Sequence, residues 1–200
     1  MYCACAGWLG SSVCAQEGEA VYTRVAMERQ CQVVLRALTR KGGYMTDEKV
    51  RIHLPEFLDD ASRMLKTTGY GRPVEELVLA LNRTAELALA PLQEDVLQSL
   101  RSWVPQTTHR VAKPAPWVAQ WQEKVQARLV TLAVTTVEGA MPKAALPRRY
   151  DAVVDRMAQL GLLGREPLDL PRYVAERMIQ GVFVLMAIHE QQVRAGQKTG

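Results

Sequence analysis

Apolar residues recur every three or four positions along most of the chain, which is the spacing of an amphipathic helix. The first such run reaches from Val21 to Leu38 and stops before Gly42 and Gly43, since glycine readily adopts the left-handed conformation that ends a helix. Five more runs predict helices that begin near Pro55, Pro73, Trp117, Tyr150 and Pro171. The pattern therefore predicts an all-α fold, a compact bundle of about six helices.

Two details of these helices can be tested by the structure. The predicted third helix contains Pro91, which is expected to kink or end it because proline lacks an amide N–H. The core-facing positions of the first two helices are also predicted from their spacing, and they include Val25, Val33, Phe57, Leu58, Ala61, Met64 and Leu65.

One segment, residues 50–54, breaks the helical pattern. Val50, Ile52 and Leu54 alternate with Arg51 and His53, and a period of two is typical of extended chain with its apolar side chains on one face. No second alternating segment is available to pair with it. We therefore expect a short extended strap, laid over helices, that leads into the second helix at the following proline.

The chain of 200 residues is long enough for one domain with its own core. Residues 19–196 are predicted to form a single helical domain. Residues 104–116 contain three prolines and are predicted to form an internal loop. Residues 1–18 are interpreted as a leader or a disordered terminus.

The leader is rich in small residues and carries no charge before Glu17. Val13, Cys14 and Ala15 fit the pattern that a signal peptidase accepts, although no basic residue precedes them. Residues 1–18 are therefore interpreted as a possible remnant of an export signal. A periplasmic or secreted protein is expected, with a cytoplasmic protein as the alternative.

Charge and composition exclude several classes of function. The net charge is +4, but Lys and Arg are scattered among acidic residues, so a nucleic-acid interface is not expected. The longest apolar run, residues 181–188, is far shorter than the ~18 residues of a membrane-spanning helix. Cys3 and Cys5 lack partners at metal-site spacing, so neither a metal nor a cofactor is predicted. Cys31, alone in the helical region, is interpreted as a small buried side chain.

Catalytic patterns are scarce. The three histidines, His53, His109 and His189, lie far apart, and no recognisable nucleophile, phosphate-binding or metalloprotease motif occurs. No catalytic residue is predicted, which favours a protein that is not an enzyme.

One polar cluster is a candidate site. It combines Arg51 of the strap with Glu76, Asn82, Arg83 and Glu86 of the predicted third helix, where residues four or seven apart share a side. Such a group can form a buried ion-pair network or line a polar ligand pocket. The network is the favoured interpretation, with Arg51 pairing with the helix carboxylates and fixing the strap to the helix.

The segment VRIHLPEFLDDASRMLKTTGYGRPVEELVLALNRTAE resembles the signature of a bacterial family known as domain of unknown function 4197. A second similarity lies in YDAVVDRMAQLGLL and in the last helix. The resemblance extends from about Val21 to Arg194, but the proline-rich loop departs from the family pattern. The residues that match the first signature are Arg51, Ile52, Leu54, Pro55, Glu76, Leu77, Asn82, Arg83, Ala85 and Glu86. The resemblance implies a helical fold and usually an export signal, and it implies no established reaction, substrate or cofactor.

Three functional hypotheses remain open. The first is an exported, non-catalytic module that binds an unknown protein or small ligand at the bacterial envelope. The second is an uncharacterised, hydrolase-like enzyme with an Arg/Glu pocket. The third is binding of nucleic acid or an anionic membrane by the basic surface. The sequence does not predict the oligomeric state.

Overall fold

The computed structural model describes residues 24–67, 69–103, 116–162 and 168–196. The all-α prediction is confirmed, since these residues form helices and no strand. The leader and nearly all of the proline-rich loop lie outside the described residues. The helices are α1 (Arg24–Thr39), α2 (Glu56–Thr67), α3 (Gly71–Trp103), α4 (Trp117–Ala140), α5 (Leu146–Gln159) and α6 (Leu170–Gly196), with a 3₁₀ turn at Pro142–Ala144.

Helix α3 organises the bundle. It has 33 residues, roughly 50 Å at 1.5 Å per residue, and packs against each of the other five α-helices. Pro91 was expected to end or kink this helix. The expected end is wrong, because α3 continues through Pro91. Pro91 is exposed, while Leu89 and Leu92 beside it are buried. Packing on both sides of the proline therefore outweighs the loss of one backbone hydrogen bond.

Helices α1 and α2 bury narrower faces than their spacing predicts. Leu58, Ala61 and Leu65 of α2 are buried, but Phe57 and Met64 are 43% and 55% exposed. Val25 and Val33 of α1 are likewise exposed, whereas Cys31, Val34, Leu35 and Leu38 are fully buried. A helix at the edge of a bundle has neighbours on one side only, so part of its apolar stripe remains in water.

The strap has the predicted alternation. Val50, Ile52 and Leu54 are 4%, 1% and 7% exposed, while Arg51 is half-buried and His53 is exposed. The carbonyl oxygen of His53 accepts a hydrogen bond of 2.9 Å from the hydroxyl of Tyr173 on α6. The strap thus spans from α6 to the helices beneath it.

Tyr44, just before the strap, is fully buried against α6. Its hydroxyl donates a hydrogen bond to the carbonyl oxygen of Met178 at 2.8 Å, and a Cβ at Gly181 would lie 2.8 Å from its ring. Burial raises the pKa of Tyr44 well above its ordinary value, and the Glu86 carboxylate adds to this shift. The absence of a side chain at Gly181 therefore makes room for a buried tyrosine.

Helices α4 and α6 also pack closely against each other. Trp121 meets Phe183 edge to face at 4.9 Å between ring centroids. The buried carboxylate of Glu190 on α6 accepts hydrogen bonds from the N–H groups of Trp117 and Val118, at 2.9 and 3.1 Å. Because a helix N-terminus leaves its first N–H groups without partners and carries partial positive charge, Glu190 both caps α4 and joins it to α6.

Within the described ranges, each helix is either too short or too polar to cross a lipid bilayer.

Candidate functional site

The five residues of the predicted polar cluster lie in four separate settings. Asn82 contacts the strap, Arg51 pairs within the segment that precedes the strap, Arg83 pairs with Glu86, and Glu76 lies in a groove beside α5. They do not form the single network that the sequence predicts.

Asn82 is the residue that fixes the strap to α3. Its side chain is fully buried, its Oδ1 accepts a hydrogen bond from Ile52 N–H at 2.9 Å, and its Nδ2 donates to Ile52 O at 2.9 Å. A further bond from Nδ2 reaches the Val78 carbonyl at 2.8 Å. One amide side chain thereby satisfies both backbone groups of a buried strap residue that has no neighbouring strand.

The expected contact of Arg51 with the α3 carboxylates is wrong. Its guanidinium pairs with Glu48 at 2.6 Å and donates to the Met45 carbonyl at 2.9 Å. His53 Nε2 lies 3.1 Å from the second oxygen of the Glu48 carboxylate. The physical reason is alternation: the buried face of the strap carries Ile52 towards α3, so Arg51 and His53 point away from it.

Arg83 and Glu86 form a local ion pair on α3. Arg83 Nη1 lies 2.9 Å from Glu86 Oε2, with the Glu86 side chain 3% exposed and the Arg83 side chain 43% exposed. A buried carboxylate is costly unless a cation or hydrogen-bond donor compensates it, so loss of Arg83 would leave the Glu86 charge uncompensated. The Glu86 carboxylate is close enough to the buried Tyr44 to raise its pKa, which indicates a structural role for the Arg83–Glu86 pair.

Glu76 lies in a groove between the start of α3 and α5, which we call the arginine groove. Its carboxylate accepts from Arg72 Nε at 3.0 Å, and its backbone carbonyl accepts from Arg149 Nη1 at 2.9 Å. The groove consists of two adjoining cavities of about 390 and 380 Å³, which share Pro73 and Ala152. Its other lining residues are Leu65, Tyr70, Ala145, Arg148, Val153, Asp155, Arg156 and Gln159.

A wide opening lies between α4 and α6, and we call it the amide groove. Its volume is about 990 Å³, compared with about 370 Å³ for a groove beside the strap. A volume of this size is at the upper end of those seen for ligand sites. The lining residues are Gln122, Glu123, Gln126, Ala127, Val130, Thr131, Val134, Thr135, Arg172, Tyr173, Glu176, Arg177 and Gln180.

Three glutamines give the amide groove its chemistry. Gln122 Nε2 donates to Gln126 Oε1 at 2.8 Å and to Gln180 Oε1 at 3.0 Å, which joins α4 to α6. All three side chains are half-buried. Both amide hydrogens of Gln122 are used in these two bonds. The side-chain oxygen of Gln122 and the NH₂ groups of Gln126 and Gln180 have no partner among the described residues. The groove therefore presents one acceptor and two donor groups to a ligand.

The remaining walls of the amide groove combine both signs of charge with an apolar surface. Arg172 pairs with Glu176 at 3.0 Å, and Arg177 lies over the ring of Tyr173, 5.4 Å from its centroid. Burial raises the pKa of Tyr173, while the Arg177 charge opposes that shift. Val130, 9% exposed, belongs to the apolar part. These groups suit recognition by hydrogen bonds and packing.

Neither the amide groove nor the arginine groove is predicted from the sequence. The spacing of Gln122 and Gln126, four apart, places both on one side of α4 and is a visible signal. The approach of Gln180 depends on the pairing of α4 with α6, which no local pattern specifies. Cys31 offers no site, because burial raises the pKa of its thiol to about 12.

Comparisons with known proteins agree with the resemblance seen in the sequence. No curated protein and no solved structure matches the chain significantly. A family model described as protein of unknown function (DUF4197) matches residues 16–199, which is nearly the whole chain, and the chain therefore belongs to this family.

Proposed function

We propose that the protein is a non-catalytic binding module that holds an extended peptide segment of a partner protein in the amide groove. The observation that carries this proposal is the group of unpaired amide functions on Gln122, Gln126 and Gln180. A peptide backbone alternates N–H donors and C=O acceptors, and side-chain amides can pair with both. Half-buried amides whose remaining donors and acceptors have no partner among the described residues are therefore well suited to an extended chain.

The dimensions of the groove fit the same occupant. The α4 wall runs from Gln122 to Thr135, a rise of roughly 20 Å at 1.5 Å per residue. An extended peptide advances ~3.3 Å per residue, so about six residues would fill this length. Val130 and the ring of Tyr173 offer apolar contact, and the Arg172–Glu176 pair can meet either charge. The proposed ligand is a mixed polar and apolar peptide.

We place this module at the bacterial envelope, in the periplasm or outside the cell, on the basis of the leader sequence. Mass spectrometry of the mature N-terminus from cell fractions tests the location. Loss of residues 1–15 and recovery in the periplasm or the medium is expected. An intact N-terminus confined to the cytoplasm would contradict export and leave the binding proposal standing.

The hydrolase-like alternative has less support. A general acid or base must exchange a proton near the working pH. The two carboxylates suggested for that role are paired, Glu76 with Arg72 and Glu86 with Arg83. They also face different surroundings, so they cannot act on one substrate as a pair.

Selection from a displayed peptide library tests the binding proposal. Affinity of a selected peptide is measured by fluorescence anisotropy for the wild type, for Gln180→Ala and for Gln98→Ala, an exposed glutamine on α3. Gln180→Ala is expected to weaken binding about fivefold, since one hydrogen bond contributes about 1 kcal/mol. Gln98→Ala is expected to bind as the wild type does. Failure to select any peptide, or equal affinity in all three proteins, would refute the proposal.

A further inference from the structure

The arginine groove holds three guanidinium groups that use few of their donors on the residues that the structure describes. Arg148 makes no hydrogen bond or ion pair with any residue that the structure describes. Arg149 uses Nη1 on the Glu76 backbone carbonyl, 2.9 Å away, and the same nitrogen lies 3.8 Å from the Glu76 carboxylate. Arg156 uses Nη1 on the side chain of Gln159, also 2.9 Å away. Each guanidinium carries five N–H groups, so most donors of the three arginines are open to a ligand.

Arg156 is held in place from below. Its guanidinium carbon lies 4.0 Å from the centroid of the Tyr70 ring, and its Nε is buried without a hydrogen-bond partner among the described residues. A cation over an aromatic face is favourable. A guanidinium that is already ordered loses less entropy when it binds a ligand. The stack therefore prepares this end of the groove for binding.

The floor between the arginines is formed by proline and alanine residues. Pro73 and Ala152 line both cavities, and Ala145 lines the cavity that holds Arg148 and Arg149. Arg149 and Arg156 are seven residues apart on α5, roughly 10 Å along its axis. A phosphate placed near Arg149 leaves the Arg156 end of the groove to the rest of the ligand. A ligand that uses the whole groove must carry an extended organic part.

Acidic side chains limit which anions fit. Glu76 and Asp155 also line the groove, so its three arginines are opposed by two carboxylates. A polyanion such as nucleic acid would bring repeated charge against these carboxylates. A ligand with a single strongly charged group avoids them, and guanidinium forks match phosphate oxygens with paired, charge-assisted hydrogen bonds.

We propose that the arginine groove binds an organic phosphate, with the phosphate at Arg148 and Arg149 and the organic part extended over Pro73 and Ala152 towards Tyr70. The same phosphate chemistry is available from a free metabolite and from a lipid headgroup. This site is separate from the amide groove, and neither proposal depends on the other.

Isothermal titration of the full chain tests the proposal with phenyl phosphate and inorganic phosphate as probes. Phenyl phosphate is expected to bind more tightly, because its ring can contact Pro73 and Ala152. Arg148→Gln is expected to weaken it by about tenfold or more, the loss of one or two charge-assisted hydrogen bonds. The melting temperature should be unchanged, since Arg148 has no partner within the described chain. Arg128→Gln, which removes an exposed charge from α4, serves as the matched control and should change affinity by less than about twofold.

Sedimentation with phosphatidylcholine vesicles, with and without phosphatidic acid, distinguishes the two sources. Binding to phosphatidic acid that Arg148→Gln abolishes, without binding of phenyl phosphate, would identify a headgroup as the ligand and support the site. Binding of phenyl phosphate without vesicle binding would identify a free organic phosphate. Equal loss of affinity in Arg148→Gln and Arg128→Gln would overturn the proposal, as would the absence of binding to every phosphate probe.

Discussion

Replacing Asn82 by alanine tests the attachment of the strap to α3. The substitution removes the partner of Ile52 N–H and the partner of Ile52 C=O, both at 2.9 Å and both buried. Each buried backbone group that loses its partner costs about 1–3 kcal/mol, so Asn82→Ala is expected to lower the free energy of unfolding by about 2–5 kcal/mol. Domains of this kind are stabilised by ~5–15 kcal/mol, so the loss is large.

The assay is urea unfolding followed by circular dichroism, with Thr84→Val as the matched control. Thr84 is equally buried on α3, but its hydroxyl only donates to the Ala80 carbonyl within the same helix, at 2.8 Å. Its replacement leaves no strap group without a partner and is expected to cost about 1 kcal/mol or less. Hydrogen exchange at Ile52 N–H should also accelerate in Asn82→Ala. Equal stability of the two variants, with unchanged protection of Ile52, would refute the reasoning.

Three further predictions concern the core. Gly181→Ala should destabilise the protein by about 1–3 kcal/mol in urea unfolding, because its Cβ would lie 2.8 Å from the buried Tyr44 ring. Gly139→Ala on α4 is the control and should be neutral or stabilising, since its Cβ meets nothing within 4 Å. The reverse order of stabilities would contradict this packing. Cys31 should resist iodoacetamide at pH 9 in the native protein and react in urea, as measured by mass spectrometry, because burial raises the pKa of its thiol to about 12. Rapid labelling of the native protein would contradict the burial. The folded thiol holds its proton more tightly than the unfolded thiol, whose pKa is 9.0, so the free energy of unfolding should fall as pH rises from 9 towards 12. Arg83→Ala should lower the melting temperature and reduce the free energy of unfolding by about 1–3 kcal/mol, because it leaves the buried Glu86 carboxylate uncompensated. An unchanged melting temperature would argue against a structural ion pair.

The fold follows from the sequence to the extent that local patterns specify it. Spacing of apolar residues predicts all six helices, and the alternation of Val50, Ile52 and Leu54 predicts the strap. Exposure of Phe57 and Met64 was not predictable, because periodicity shows which side of a helix is apolar and not how much of that side a neighbour covers.

The candidate sites were predictable only in part. Asn82 was one of five residues in the predicted cluster, but the link between the strap and α3 was assigned to Arg51 and the α3 carboxylates. A long charged side chain can reach several partners, whereas a short buried amide is fixed by the backbone groups around it. The role of Glu190 as a cap was missed because its hydrogen-bond donors are backbone N–H groups of a helix 72 or 73 residues away. Such tertiary contacts leave no periodic signal.

The two grooves differ in the chemistry that they offer. The amide groove presents the neutral donors and acceptors of three glutamines in an opening whose α4 wall is roughly 20 Å long, which suits an uncharged backbone. The arginine groove presents positive charge on a short floor, which suits a compact anion. One helical module could therefore hold a protein segment and a small phosphate at once, on separate pairs of helices.

The most direct test of peptide binding in the amide groove is an amide shift map by nuclear magnetic resonance. The isotope-labelled protein is titrated with a library-selected peptide, and each backbone shift is followed. The largest changes are expected at Gln126, Thr131 and Gln180, while α2 and α5 remain unchanged. Shifts confined to the strap or to α5 would show that the peptide binds elsewhere and would contradict the account.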